Sequence, residues 1–212
     1  MIVNPVQGLA RTELPVACIL AGGRALRMEG KDKPLLRLAG QSLLERVIAR
    51  LAPQVRALVL NANGDRARFG AFGLPVIADP IAGFAGPLAG ILAGLEWAGG
   101  QDAERIVSVA TDTPFLPRNL VERLVEACRG NDIACAASGG RIHPVIGLWP
   151  TRLASELRHA LTVENIRKVD AWTARYRLGI AEWSDYPYDP FFNINRPPDV
   201  IEAERILSEY SP

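Results

Sequence analysis

Residues 16–33 read VACILAGGRALRMEGKDK, in which five apolar residues run into a loop rich in glycine and basic side chains. A short apolar run bounded by glycines is typical of a buried strand in a parallel sheet. Ser42 and Glu45 follow at the spacing of a capping box, which predicts that a helix begins there. Such a loop can place backbone N–H groups and cations around a bound anion. It has neither the Walker A nor the dinucleotide-fingerprint spacing, so it predicts a phosphate-binding loop of another kind.

The rest of the chain alternates apolar runs with amphipathic stretches. The pattern predicts strands at 57–60, 74–78 and 106–110, two shorter strands around a Gly139-Gly140 turn, and helices at 42–51, 88–97, 117–128, 151–161, 164–175 and 197–208. This order predicts an α/β fold, a single three-layer α/β/α domain with a mostly parallel, dinucleotide-binding-like sheet. We expect residues 1–14 to form an N-terminal extension and residues 15–212 to form the domain.

Composition narrows the classes of function. The chain has 24 basic and 23 acidic residues, so no bulk charge favours nucleic acid or a membrane surface. Its three cysteines lack C-x-x-C spacing, and we expect reduced, buried thiols as in a cytoplasmic protein. Residues 1–14 do not resemble a signal peptide, and the uncharged run at 80–95 is too short and too rich in glycine and proline to span a membrane.

Polar or glycine-rich segments follow the first four predicted strands. Ala21 and Gly22 follow the first, Asn61 the second, Asp79 the third and Asp112 the fourth. In open α/β sheets ligands bind outside the carboxyl ends of the strands. These residues are therefore expected to share one site.

Asp112 is the candidate metal ligand. Magnesium takes hard oxygen ligands, and one carboxylate with substrate phosphates and water is sufficient. The alternative is an N-cap for the helix near residue 117, for which Asp112 lies slightly early. The chain has two histidines, which excludes a His-rich metal site. For His143, which precedes Pro144, a structural turn is the favoured interpretation, and His159 is expected on a helix surface.

The first loop resembles the signature loop of a nucleotidyltransferase family. The matching segments are Leu20-Ala21-Gly22-Gly23, Arg27-Met28, Gly30, Asp32-Lys33, Asn61-Ala62-Asn63, Asp79, Gly86-Pro87-Leu88-Ala89-Gly90, Thr111-Asp112-Thr113-Pro114, His143-Pro144 and Asn193-Ile194-Asn195. Over roughly residues 15 to 207 the chain most resembles the molybdenum cofactor guanylyltransferases. This resemblance implies a nucleotide-diphospho-sugar transferase-like fold.

The resemblance also implies an activity. GMP would pass from GTP to the terminal phosphate of molybdenum-molybdopterin, giving the guanine dinucleotide cofactor and pyrophosphate, with Mg²⁺ as the metal. The resemblance further implies transient contacts with molybdenum-insertion proteins or apo-molybdoenzymes. The alternatives are a sibling transferase, which uses CTP on molybdopterin or a nucleotide on a sugar phosphate, and a non-catalytic adaptor that hands over cofactor. An adaptor does not need Lys33 or Asp112, and both are present.

Residue roles follow from the matched motifs. The resemblance implies catalytic roles for Lys33, Asp112 and Arg27. It implies that substrates contact Leu20, Ala21, Gly22, Gly23, Lys33, Asn61, Asp79, Gly86, Asp112, Asn193 and Asn195. Of these, Asn193 and Asn195 would face one side of a short strand on the molybdopterin side.

For some residues the sequence supports two interpretations. Asn63-Gly64 fits an ordinary turn equally well, so Asn63 is left out of the candidates. Arg167 and Lys168 either bind the pterin phosphate or lie on a solvated helix face. Gly90, inside a predicted helix, indicates close approach of a ligand or of another helix. Glu29 departs from the glycine usual in the family and adds an acid to the anion loop.

Overall fold

The computed structural model describes residues 14–22, 27–28, 31–83 and 86–210, with backbone alone at 27, 28 and 31. The candidate residue Gly23, Glu29 and the side chain of Arg27 lie outside this description. The proposed extension at 1–14 lies almost entirely outside it as well, so the domain boundary stays a prediction.

Seven strands form the main sheet. They are β1 (Val16–Leu20), β2 (Leu58–Asn61), β3 (Val76–Ile77), β4 (Arg105–Ala110), β5 (Ile133–Ser138), β6 (Arg141–Pro150) and β7 (Leu178–Trp183). Their order across the sheet is β7-β5-β6-β4-β1-β2-β3, and β6 runs antiparallel to both of its neighbours. The other pairings are parallel. Because β6 is antiparallel, it begins at the edge where the parallel strands end.

Six α-helices accompany the sheet in the described ranges. They are α1 (Leu43–Leu51), α2 (Pro87–Gly99), α3 (Leu120–Ala127), α4 (Ala154–Thr162), α5 (Val169–Thr173) and α6 (Pro197–Tyr210). Strand β1 is buried on both faces. Its Ala17 and Ile19 pack in one core cluster with residues of α1 and α3, while Cys18 and Leu20 pack in the other with residues of α2, α4 and α5. This arrangement confirms the three-layer, mostly parallel α/β fold.

Local signals predicted several elements well. The capping box at the start of α1 is present, with Ser42 accepting from the Glu45 N–H and the Glu45 carboxylate accepting from the Ser42 N–H. Strands β5 and β6 flank the Gly139-Gly140 turn as expected. The three cysteines are unpaired and buried. His159 lies on α4 with 61% of its side chain exposed, as predicted.

Two predicted elements differ from the structure, and one strand was missed. The helix expected at 164–175 forms only at Val169–Thr173, because Asn165 is left-handed with φ of 59° and Lys168 is extended with ψ of 135°. Residues 193–195 form no strand; they have no regular secondary structure, and the chain then enters α6. Strand β7 was not predicted. Its Gly179 weakens the strand pattern, and that glycine is required because a Cβ there would lie 1.9 Å from the carbonyl oxygen of Ala127.

No α-helix in the described ranges is both long and apolar enough to cross a bilayer.

Candidate active site

A cavity of about 740 Å³ opens at the carboxyl edge of the parallel strands. The loop after β1, the loop after β4, the start of β6 and the segment before α6 all contribute to its wall. It contains seven of the candidate residues, which are Leu20, Ala21, Gly22, Lys33, Asp112, Asn193 and Asn195. Its volume is in the range of sites that enclose small molecules.

Lys33 and Asp112 form an ion pair in this cavity. The Lys33 ammonium donates to Asp112 Oδ2 at 2.7 Å and to Asn195 Oδ1 at 2.6 Å. The exposed fractions of the Lys33 and Asp112 side chains are 8% and 19%, so the pair is largely shielded from water. The Ile194 N–H donates to the Asp112 carbonyl oxygen at 2.9 Å, which ties the segment before α6 to the end of β4.

The Asp112 carboxylate has one oxygen that is not used within the described residues. Its Oδ1 is buried and accepts no hydrogen bond there. A buried carboxylate oxygen without a donor is costly, and a divalent cation would satisfy it. The described residues contain no cluster of three or more His, Cys, Asp or Glu side chains suited to a metal. The residues present therefore fit a cation that takes one carboxylate from the protein and its other ligands from substrate phosphates and water.

Asp79 lies beside the cavity, just after strand β3, and two asparagines hold its carboxylate. Asn61 Nδ2 donates to Asp79 Oδ1 at 3.0 Å, and Asn63 Nδ2 donates to Oδ2 at 2.7 Å. The Asp79 N–H in turn donates to Asn63 Oδ1 at 3.0 Å. Asn63 was left out of the site candidates, yet its side chain contacts Asp79 at two points. The sequence spacing gave no sign of this contact, although Asn63 lies within a segment that matches the family.

Glycines let the elements around Asn61 come close together. At Gly90 in α2, an added Cβ would lie 2.4 Å from Asn61 Oδ1 and 2.9 Å from Leu20 Cδ2. The close neighbours of Gly90 are thus side chains from strand ends, and not another helix as one sequence interpretation held. Gly86 has a φ of 155° and immediately precedes α2. Within the described chain, neither Asn61, Asp79 nor Gly86 lines the cavity itself.

The opposite half of the cavity contains residues that were not site candidates in the sequence. They are Arg141, Ile142, His143, Asp189, Phe191, Phe192, Arg196 and Asp199. His143 does not form the expected structural turn; it lies within strand β6, next to an irregularity in the pairing with β5. Burial lowers the pKa of His143, while the nearby Asp189 opposes that shift.

Asn193 and Asn195 face the cavity, while Ile194 between them is fully buried. Their shared side is as predicted, although no strand forms. The Asp199 carboxylate accepts from the backbone N–H groups of Asn195 and Arg196 at 2.8 Å each, which fixes this segment and holds the pKa of Asp199 below its usual value. Arg167 and Lys168 are exposed and do not line the cavity.

Comparisons with known proteins identify the family of the chain. Residues 17–177 match the model of the MobA-like NTP transferase domain. The chain is 61% identical over 194 residues to a molybdenum cofactor guanylyltransferase of Rhodopseudomonas palustris (strain BisB5), with 90% of this chain and 92% of the relative covered.

Solved structures share the fold. The molybdopterin-guanine dinucleotide biosynthesis protein A of Archaeoglobus fulgidus superposes with a TM-score of 0.71 at 25% identity, covering 92% of this chain and 99% of that one. Rv0371c of Mycobacterium tuberculosis, solved as a complex with manganese, has a TM-score of 0.64 at 16% identity, covering 91% of this chain and 98% of that one. From its matched domain and its relatives, this chain belongs to the molybdenum cofactor guanylyltransferases, within the MobA-like nucleotidyltransferases.

Proposed function

We propose that this chain transfers GMP from GTP to the terminal phosphate of molybdenum-molybdopterin, with Lys33 and Asp112 at the reacting phosphates. The observation that carries the assignment of these two residues is a shielded ion pair in a cavity at the carboxyl edge of the sheet, with one carboxylate oxygen that accepts no hydrogen bond from the described residues. Nucleotidyl transfer develops charge on the phosphate oxygens, and a low-dielectric site with a fixed cation stabilises that charge.

The reaction needs no covalent enzyme intermediate. An oxygen of the terminal phosphate of molybdopterin forms a bond to the α-phosphorus of GTP, and the bond from that phosphorus to the β-phosphate oxygen breaks. Pyrophosphate leaves with the electron pair of the broken bond, and the product is a dinucleotide with a diphosphate linkage. The work of the protein is to place the two substrates in line and to balance their negative charge.

Lys33 and Asp112 divide this work. The Lys33 ammonium is a compact cation with three donors, of which Asp112 and Asn195 use two. The third donor has no partner among the described residues and would serve a phosphate oxygen. Asp112 would hold Mg²⁺ through its free Oδ1, and the bound ion would supply further positive charge to the phosphates. Arg27 is proposed as a second phosphate-binding cation on its place in the loop alone.

The nucleotide would lie on the side of β1 and β2. The end of β1 and the loop that follows it, with Leu20, Ala21, Gly22 and Gly23, would lie against the nucleotide and its phosphates. Because Asn61 and Asn63 donate to both oxygens of Asp79, that carboxylate has a fixed direction. A fixed carboxylate can accept hydrogen bonds from the N1–H and the amino group of guanine together, or hold the ribose. Gly86 at the start of α2 would allow close approach of the substrate backbone.

The molybdopterin would lie on the side of β6 and the segment before α6. Asn193 and Asn195 offer amides there, and Arg141 and Arg196 offer cations. We further propose a cytoplasmic setting, which the buried free cysteines support, and transient contacts with molybdenum-insertion proteins or apo-molybdoenzymes.

Nucleotide choice tests this proposal. The protein is incubated with molybdenum-loaded molybdopterin, magnesium and GTP, CTP, ATP or UTP, and pyrophosphate is measured. We expect GTP to exceed the others in kcat/KM by about tenfold or more, because a wrong base leaves buried polar groups unpaired. Omission of molybdopterin is the control. A CTP preference would move the chain to the cytidylyl sibling reaction, and no pyrophosphate with any nucleotide would favour the adaptor.

Asn63 provides a test of the nucleotide half. Asn63→Ala removes both contacts to Asp79 and is expected to raise the KM for GTP by about tenfold, with a smaller change in kcat. Asn63→Asp is the matched variant, because it keeps an acceptor and suits a turn but places a second carboxylate against Asp79. We expect Asn63→Asp to be the more severe of the two. Wild-type kinetics for Asn63→Asp would contradict this role and would show that Asn63 acts only as a turn residue.

A further inference from the structure

His143 is the one imidazole in the cavity wall, and its ring is held on two sides. Ser138 Oγ lies 2.8 Å from His143 Nε2 and donates to Asp189 Oδ1 at 2.7 Å. Phe191 packs against the ring, with 4.9 Å between the centroids, and its N–H donates to the same Asp189 oxygen at 2.9 Å. The reacting groups described above use none of these contacts.

The directions of these hydrogen bonds fix the tautomer of His143. A serine hydroxyl has one hydrogen, and here it goes to the Asp189 carboxylate, which can only accept. Ser138 Oγ must therefore accept from His143, so the hydrogen is on Nε2. Burial lowers the pKa of His143, which keeps the ring neutral at neutral pH. In that state Nδ1 has a lone pair and is the remaining hydrogen-bond acceptor of the ring.

The position of His143 in the sheet relates it to the acceptor substrate. In the strand order, β6 lies on one side of β4 and β1 lies on the other, with β2 and β3 beyond β1. Asp112 follows β4, while Asn61 and Asp79 lie at the ends of β2 and β3. His143 is thus on the side of the Lys33–Asp112 pair away from the residues assigned to the nucleotide. The substrate whose phosphate attacks must approach from that side.

We propose that His143 binds the acceptor substrate through Nδ1 by accepting a hydrogen bond from a ring N–H of the pterin, and thereby selects this substrate. A reduced pterin is a flat ring system whose edge carries several N–H groups, so an acceptor of fixed direction beside an aromatic ring is complementary to it. Ser138 and Asp189 are positioning residues, because they act on the substrate only through the orientation of His143. The inference rests on the proposed function, since it assumes molybdopterin as the acceptor.

Two substitutions separate binding from structure. In His143→Gln the amide nitrogen can still donate to Ser138, but no acceptor remains at the Nδ1 position. In His143→Asn the amide oxygen lies near the Nδ1 position, but the contact to Ser138 is lost. The measurements are the KM for molybdenum-loaded molybdopterin, the KM for GTP, kcat by pyrophosphate release, and the melting temperature of each variant.

We expect His143→Gln to raise the KM for molybdenum-loaded molybdopterin by about tenfold, with an unchanged KM for GTP and an unchanged melting temperature. His143→Asn should be closer to the wild type in this KM, although its melting temperature falls. A wild-type KM for molybdopterin in His143→Gln would overturn the proposal, and so would a larger defect in His143→Asn than in His143→Gln. The wild-type protein, measured in the same assays, tests the proposed function separately. If that function is wrong, the wild type itself will prefer a different nucleotide or acceptor.

Discussion

Asp112→Asn is expected to fold normally and to lose at least about a hundredfold in kcat, equivalent to about 3 kcal/mol of transition-state stabilisation. The amide keeps the shape of the side chain and still offers Lys33 a hydrogen-bond acceptor at a place where the ion pair is 2.7 Å long. It removes the negative charge that would hold a divalent cation at the buried Oδ1. The catalytic loss is therefore electrostatic. Because the Lys33 ammonium, whose side chain is 8% exposed, loses its anion, we also expect the free energy of unfolding without nucleotide to fall by about 1–2 kcal/mol.

Two measurements check this prediction. Pyrophosphate release at saturating GTP and magnesium gives kcat, and calorimetric titration with Mn²⁺ in the presence of GTP gives cation binding. Asp102→Asn is the matched control, because Asp102 is exposed before β4 begins, at the opposite edge of the sheet, and has a left-handed φ of 50° that asparagine tolerates. Near wild-type turnover in Asp112→Asn at saturating magnesium would remove Asp112 from the role of metal ligand.

The sequence predicted those parts of the site that local patterns determine. A continuous apolar run fixes β1 as a strand buried on both faces, and the Ser42 and Glu45 pair fixes the start of α1. Since parallel strands end at one edge, the residues that follow β1, β2, β3 and β4 had to lie near one another. The sequence therefore places Gly22, Asn61, Asp79 and Asp112 at one edge of the sheet, although only Gly22 and Asp112 of these four line the cavity in the described chain.

Contacts between distant segments could not be predicted in the same way. Lys33 contacts Asp112, which is 79 residues away in the sequence, and Asn195, which is 162 residues away. No local sequence pattern indicates that these residues contact one another. Asn63 has the composition of a turn, so its two hydrogen bonds to Asp79 appear only when β2 and β3 are paired. His143 precedes a proline, which favours a turn in isolation. Its place in β6 and its bond to Ser138 depend on the pairing of β6 with β5.

Lys33→Ala is expected to lower kcat by about a hundredfold and to weaken GTP binding, because one fixed cation at the phosphates is lost. The structure adds a second effect. The ammonium also neutralises Asp112, whose side chain is 19% exposed, so the substitution leaves a largely shielded carboxylate without its cation. We expect the free energy of unfolding to fall by about 1–2 kcal/mol in the absence of nucleotide, the scale of a hydrogen bond to a charged group partly open to water.

Lys33→Met separates the two causes, since it keeps the apolar stem and removes only the charge and its hydrogen bonds. Both variants should show the same catalytic loss if charge at the phosphates is what matters, whereas Lys33→Ala should be the less stable because it also loses packing. Arg129→Ala is the control for net charge, as Arg129 is paired with Glu126 on the surface and its side chain is 74% exposed. The measurements are pyrophosphate release over a range of GTP concentrations and unfolding in urea. Unchanged kinetics in both Lys33 variants would shift the phosphate-binding role to a basic residue earlier in the loop, with Arg27 the first to be replaced.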